Sequence, residues 1–134
     1  MKIYTVWFKY AMWLGIIQNL VLGIPAIFAP NWLLGLVGQR LALDPIWASF
    51  AGLLLCLLTF SYIPGSNSPH RYPISAWLSV MSRPPGAVFF LLLYPNVYPL
   101  FGIIDLVLCL IQIPLLILVM RDQPHQSITM SNPV

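Results

Sequence analysis

The chain has 134 residues, of which only nine are Asp, Glu, Lys or Arg, and Glu is absent. This charged share of 7% compares with about 25% in a typical soluble domain. Hydrophobic residues make up 60%, and the mean hydropathy is +0.87. So few charges exclude a water-soluble globule, and a disordered chain has the opposite composition. The sequence therefore indicates an integral membrane protein, and its length predicts a single domain.

Several classes of chemistry lack the residues they need. The basic residues are scattered singly, so the net charge of +3 does not indicate nucleic-acid binding. Cys56 and Cys109 lie in apolar runs without a CxxC pair, which disfavours a thiol-redox enzyme. His70 and His125 lie outside those runs, so no histidine can hold a haem within the membrane. Since no metal-ligand set, phosphate loop or nucleophile elbow appears, we predict no catalytic residue, no metal and no cofactor of its own.

Four apolar segments are long enough to cross a bilayer core about 30 Å thick. In chain order they cover about residues 10–29, 45–63, 73–94 and 98–120. Their hydrophobicity is continuous rather than alternating, which predicts helices rather than the strands of a barrel. Turn-forming residues fill the connections, at 30–44, 64–69 and 95–99. Because these loops are short, neighbouring helices are expected to run antiparallel.

The predicted fold is thus an all-α, integral membrane, four-helix antiparallel bundle over residues 1–121. The polar tail over 122–134 is expected to be loosely held. The first segment exceeds the apolar core of about 7–15 residues found in a signal peptide. Its best small-residue cleavage site, near Ala29, is followed by Pro30. We therefore interpret the first segment as a retained helix.

The distribution of positive charges predicts the orientation. One side of the bundle holds Lys2, Lys9, Arg71 and Arg121, whereas the other holds Arg40 alone. Positive residues concentrate on the cytoplasmic side of a membrane, so both termini are predicted to be cytoplasmic. Trp and Tyr residues near several span ends fit the aromatic belts of the two interfaces. We therefore predict a multi-pass membrane protein.

Two charged residues, Arg83 and Asp105, fall within the predicted spans. At 1.5 Å per residue, Arg83 lies about 15 Å from the start of the third span, and Asp105 lies about 10 Å into the fourth. Placing an ionisable residue at such depth costs free energy, so each of the two residues is a candidate for a functional role. The simplest prediction is an ion pair, although side chains on antiparallel helices would lean away from each other here. The alternative is that each residue bonds backbone groups or a partner chain.

Gln18 and Asn19 in the first span lie at a depth similar to that of Arg83. Together with Arg83 and Asp105 they define a candidate intramembrane polar cluster of four residues. Such a pocket would suit a quinone carbonyl or an anionic head group, so a bound lipid or quinone is one interpretation. The other is that these groups only bond helices to one another.

A helix break is predicted at Pro84, Pro85 and Gly86, directly after Arg83. Two prolines remove two backbone donors and clash with the preceding turn. Transporters use broken helices at this depth to bind ions or substrates. The alternative is a packing kink whose free backbone groups are satisfied by Arg83, Ser79 or Ser82.

The chain resembles the small four-helix bacterial membrane proteins grouped as DoxX-like. The residues that carry the resemblance are distributed over most of the chain: Pro30-Asn31-Trp32 with Gly35, Asp44 and Trp47, Arg83 with Gly86-Ala87-Val88-Phe89-Phe90, and Asp105. The resemblance implies the four-helix architecture and a location in the bacterial inner (cytoplasmic) membrane. Since some DoxX-like proteins are linked to quinone-reducing oxidoreductases, it also implies a connection with electron transfer.

The leading functional prediction is a noncatalytic small integral membrane subunit within a larger membrane complex, in an electron-transfer assembly. Its partners would be membrane lipids and other integral membrane subunits, and not nucleic acid. The alternative is a small transporter or a quinone- or lipid-binding protein that uses the broken third helix at Arg83. A third interpretation is an assembly factor. A subunit would bury Arg83 in a dry pair or an interface, whereas a binding protein would turn it toward a cavity.

Overall fold

The computed structural model describes residues 3–122, and within that range the chain contains helices and no strands. Six α-helices and one π-helical segment follow one another: α1 Ile3–Phe28, α2 Pro30–Leu36, α3 Pro45–Asn67, α4 Pro73–Met81, α5 Arg83–Val88, the π-helical segment Phe89–Leu93, and α6 Pro99–Arg121. Four stretches are long and apolar enough to cross a membrane: α1, α3, α6 and the continuous stretch Pro73–Leu93. The predicted all-α membrane fold with four packed helices is confirmed.

Proline begins four of these helices because its fixed φ suits the first helical turn and its missing N–H needs no partner there. This holds for α2, α3, α4 and α6. At the start of α3 the carboxylate of Asp44 also accepts a hydrogen bond from Ile46 N, at 3.2 Å. Three of the four spans therefore start at a proline, namely Pro45, Pro73 and Pro99.

The spanning helices form a ring in which α1 and α4 each pack against both α3 and α6. The hydrophobic core fills one half of this ring, where α1 begins and α6 ends. It consists of eight buried residues: Phe8, Met12, Ile16, Tyr62, Ala76, Val80, Leu116 and Val119. We call this part of the molecule the closed half, because all four spans contribute to its core.

The other half of the bundle, which contains α5 and the π-helical segment, is not closed in the same way. No Cα atom of α5 or of the π-helical segment comes within 8 Å of a Cα atom in α1 or α3. Both pack instead on α6, whose Gly102 lies against Phe90 and Leu91. On the opposite side α1 and α3 pack closely at Gly23 and Gly52. We call this region the split half, because it consists of two helix pairs.

The helix ends differ from the predicted span limits at two places. The first helix begins at Ile3 rather than near residue 10, since Lys9 is exposed and its charge does not have to enter the core. The second continues past Pro64 to Asn67 rather than ending near residue 63, and Pro64 is also exposed. The third and fourth spans, Pro73–Leu93 and Pro99–Arg121, lie within one residue of the predicted limits. The predicted tail lies outside the described residues except for Asp122.

The short helix α2 occupies part of the predicted loop over 30–44. Leu33 and Leu34 are buried, which explains why this segment folds against α1 and α3. Gly38 ends it with a φ of +68°, a left-handed conformation that favours glycine. There Gln39 N donates to Leu34 O at 2.8 Å, which satisfies one of the last helical carbonyls.

The loop after α2 is held by Asn31, which gives a first prediction. Its Oδ1 accepts from Ala42 N at 2.8 Å, and its Nδ2 donates to Ala42 O at 3.3 Å. Asn31→Ala removes both bonds and is expected to lower the free energy of unfolding by about 1–2 kcal/mol. Equilibrium unfolding in detergent micelles measures this loss. The control Asn96→Ala, in an exposed turn, should have an effect near zero, and equal effects of the two variants would contradict the prediction.

Candidate functional site

Arg83, the first residue of α5, forms the centre of the candidate site. Its side chain is only 5% exposed, and its Nη1 lies 3.0 Å from Asp105 Oδ1 in α6. The same nitrogen donates to Gln18 Oε1 at 3.3 Å and to Asn19 Oδ1 at 3.5 Å, both in α1. The structure therefore brings all four residues of the candidate cluster together. We call them the polar cluster; it joins α1, α5 and α6.

Of the alternatives given by the sequence, the structure shows the ion pair between Arg83 and Asp105. The opposite lean of the two side chains does not prevent it, because an extended arginine can cross the predicted depth difference of roughly 5 Å. Each charge alone would cost about 2.5–3.5 kcal/mol in the middle of a membrane. The two charges cancel, so the cluster is neutral as a whole.

Two glycines make room for this pair. A Cβ atom on Gly15 would lie 2.6 Å from Arg83 Nη2 and 3.0 Å from Gln112 Nε2. A Cβ atom on Gly86 would collide with Asp105 Oδ2. The sequence predicted Gly86 only as part of the helix break. The actual role of the two glycines is to admit the guanidinium and the carboxylate, which only the packing geometry reveals.

Gln112 extends the polar layer within α6 and is fully buried. Its Nε2 donates to the backbone oxygen of Ala11 at 3.0 Å, which fixes α6 to α1. Within residues 3–122, Gln112 Oε1 and Arg83 Nε are both buried without a hydrogen-bond partner. Native structures rarely leave such groups unpaired, because a lost hydrogen bond in an apolar environment is costly. The site thus contains one unused acceptor and one unused donor.

The break in the third span lies at Ser82, two residues before the Pro84, Pro85 and Gly86 of the sequence prediction. Pro84 and Pro85 fall in the first turn of α5, where their missing N–H groups need no partner. Ser82 Oγ donates to Ser79 O at 3.0 Å and accepts a hydrogen bond from Tyr62 Oη at 2.8 Å. The Ser82 hydroxyl thus satisfies the Ser79 carbonyl at the interruption, and Ser82 is one of the residues that the packing-kink interpretation named.

The hydroxyl of Tyr62 supports the break, which gives a second prediction. Tyr62→Phe removes the bond to Ser82 but keeps the ring within the core, so the free energy of unfolding should fall by about 1 kcal/mol. Tyr94→Phe serves as the control because Tyr94 is exposed at the end of the third span, which contains the break. Thermal unfolding of both variants in the same detergent tests the difference. A loss as large for Tyr94→Phe as for Tyr62→Phe would contradict it.

The remaining reactive groups do not converge on a second site. No group of three His, Cys, Asp or Glu side chains within residues 3–122 has a spacing suited to a metal ion. Cys56 and Cys109 are buried and free. His125 lies outside the described residues.

Comparison with protein-family models, with curated protein sequences and with solved structures gives no significant match. The resemblance to DoxX-like proteins therefore stays a prediction from the sequence.

Proposed function

We propose that this protein is a noncatalytic, multi-pass subunit that packs against other integral membrane subunits in a larger complex. The observation that supports this role is how little of each spanning helix the chain itself covers. In the most apolar 18-residue window of each spanning stretch, only 22–28% of the residues are buried within the chain. The deepest charge, Arg83, is bonded by its own chain and needs no partner to neutralise it. The outward faces are thus apolar and available for lipid or for a protein partner.

One face suited to a protein partner lies on α3, where 22% of the residues in the most apolar 18-residue window are buried. Exposed large side chains recur at intervals of three and four residues along one side of the helix: Trp47, Phe50, Leu54 and Leu57. We call these four residues the α3 stripe. At the N-terminal end of α3, Ile46, Trp47 and Phe50 line a shallow groove. Helices that pack side by side use apolar residues at this spacing, and aromatic residues are common anchors of interfaces.

The electron-transfer setting and the bacterial inner membrane rest on the resemblance to DoxX-like proteins, whereas the cytoplasmic termini rest on the charge distribution. A strain lacking the chain should lose a quinone-linked oxidoreductase rate in isolated membranes, whereas the purified chain should show none. An unchanged membrane rate would remove the electron-transfer part and leave the subunit role to be tested separately.

Site-specific photo-crosslinking tests the subunit role directly. A photoreactive amino acid at Leu57, on the α3 stripe, is expected to attach one defined polypeptide of different mass in native membranes. The control position is Leu110 on α6, which is also exposed and should attach mainly lipid. A monomer in mild detergent without polypeptide adducts from Leu57 would contradict the proposal. An adduct of twice the chain's own mass would contradict it too, because it would indicate a homodimer.

A further inference from the structure

The short helix α2 is apolar on the side that its own chain covers and also on the side that it leaves uncovered. Leu33 and Leu34 are buried where α2 packs on α1 and α3. Trp32, Gly35 and Leu36 are exposed, and their spacing of three and four residues puts them together on the opposite side. We call these three residues the outer side of α2. A helix surface that faces water is normally polar, so this surface lacks the residues that water would favour.

The position of α2 in the chain places it at one boundary of the membrane. Lys9 is the last charged residue of α1, and no further charge occurs before Arg40. A bilayer core about 30 Å thick takes about 20 helical residues, so a core that begins after Lys9 ends near Ala29. Helix α2 begins one residue later, and it also lies within 8 Å of α3, whose first residue Pro45 starts the second span. Helix α2 is thus held where two spans reach the boundary opposite the N-terminus.

Hydrogen bonds within the chain pair backbone groups of this segment, as contact with lipid requires. Gln39 N donates to Leu34 O at 2.8 Å, beyond the end of α2. Asn31 bonds to both the N–H and the C=O of Ala42 through its side-chain amide. Because acyl chains offer no hydrogen bonds, irregular backbone is costly beside them unless its polar groups are paired internally. These bonds lower the cost of placing α2 and the following turn at the membrane surface.

Lipid is the occupant that fits the outer side of α2, because this side continues the lipid-facing surface of α1. Phe28, the last residue of α1, is 83% exposed, and only Ala29 separates it from α2. The indole of Trp32 suits the headgroup level, where its ring meets acyl chains and its N–H reaches water. Arg40, the first charge after α2, is also exposed, and a guanidinium at this level can bind lipid phosphate.

We propose that α2 is an interfacial helix, and that its outer side inserts among the lipids of the leaflet opposite the termini. The segment that the sequence predicted as a loop then forms a lipid-binding surface of its own. Since α2 packs on α1 and α3, its insertion fixes the depth at which these two spans sit in the membrane. This surface goes beyond the subunit role and does not depend on it, because the partner proposed there binds the α3 stripe.

A spin label on the outer side of α2 tests the proposal. The full chain with Leu36→Cys is purified, labelled with a nitroxide and reconstituted into vesicles of phosphatidylethanolamine and phosphatidylglycerol, which contain no partner subunit. Spin relaxation by oxygen, which concentrates in lipid, is compared with relaxation by nickel ethylenediaminediacetate, which stays in water. We expect oxygen to dominate at Leu36, at a depth of about 5–10 Å on the acyl side of the headgroup boundary.

Two exposed positions serve as matched controls. Leu110→Cys on α6 reports lipid, and Asn96→Cys, in the turn on the same side of the bundle as α2, reports water. The unmodified chain should take no label, since Cys56 and Cys109 are buried. A label at Leu36 that behaves like the label at Asn96 would overturn the proposal, because the outer side of α2 would then face water. A label at Leu36 that is screened from both agents would overturn it as well, because protein would then cover this side.

Discussion

Asp105→Asn is expected to be among the most destabilising substitutions in this chain. It leaves the buried guanidinium of Arg83 without its counterion, and breaking one partner of a buried pair costs about 3–5 kcal/mol. Asparagine keeps the size and one acceptor oxygen, so the loss is expected at the lower end, about 3 kcal/mol. The measurement is the free energy of unfolding in micelles.

The matched control is Asp44→Asn. Asp44 caps α3 from an exposed position, and Asn is as good a cap as Asp, so the change should be within about 0.5 kcal/mol of zero. The double variant Arg83→Met with Asp105→Asn should recover much of the lost stability, because it removes both buried charges. Unchanged stability in Asp105→Asn, or strictly additive effects in the double variant, would show that the pair contributes little.

Gly65→Ala is expected to be the most disruptive change of a glycine to alanine. The added Cβ would collide with the backbone of Ala76, including its N atom, and lie 2.6 Å from the carbonyl carbon of Ser75. Backbone atoms cannot turn aside as a flexible side chain can, so α3 and α4 would have to separate. Gly65 N also donates to Ser75 Oγ at 3.1 Å, a bond that this separation would weaken.

The expected loss for Gly65→Ala is about 1–3 kcal/mol, the usual cost of overpacking. Gly35→Ala provides the matched control within a helix, since its nearest neighbour would be Leu41 at an ordinary contact distance of 3.8 Å. That variant should be neutral or slightly more stable, because alanine favours helix over glycine. Equal midpoints of thermal unfolding for the two variants would contradict the close α3–α4 contact.

The four spans and the polar cluster were predictable because both follow from the cost of polar groups in lipid. An apolar run of about 20 residues has few other uses, and a charged residue within it needs a partner at its own depth. Arg83 and Asp105 are the only charges that fall well inside the spans, so each was the obvious partner of the other. Depth estimated at 1.5 Å per residue was enough to add Gln18 and Asn19.

Other features depend on packing that hydropathy does not report. The prolines after Arg83 predicted a break, but a proline belongs equally to the first turn of a new helix, which is where the structure places Pro84 and Pro85. Helix α2 is too short to produce a strong periodic pattern, and it is held by Leu33 and Leu34. The split half, and the clearance that Gly86 gives to Asp105, follow only from the relative positions of helices.

The polar cluster lies between two regions of different character. On one side a core of eight buried residues closes the bundle, and on the other the helices separate into pairs. The α3 stripe is the surface on which the proposed subunit role depends.

The central prediction is that the chain crosses the membrane four times with both ends in the cytoplasm. Single cysteines at Leu43, Ser68 and Asn96, all exposed between spans, can be treated with a membrane-impermeant maleimide. The unmodified chain is the control because Cys56 and Cys109 are buried. We expect Leu43→Cys and Asn96→Cys to react in spheroplasts and Ser68→Cys to react only after the membrane is opened. Reaction of all three positions from the same side, or release of the chain from membranes without detergent, would contradict this four-span topology.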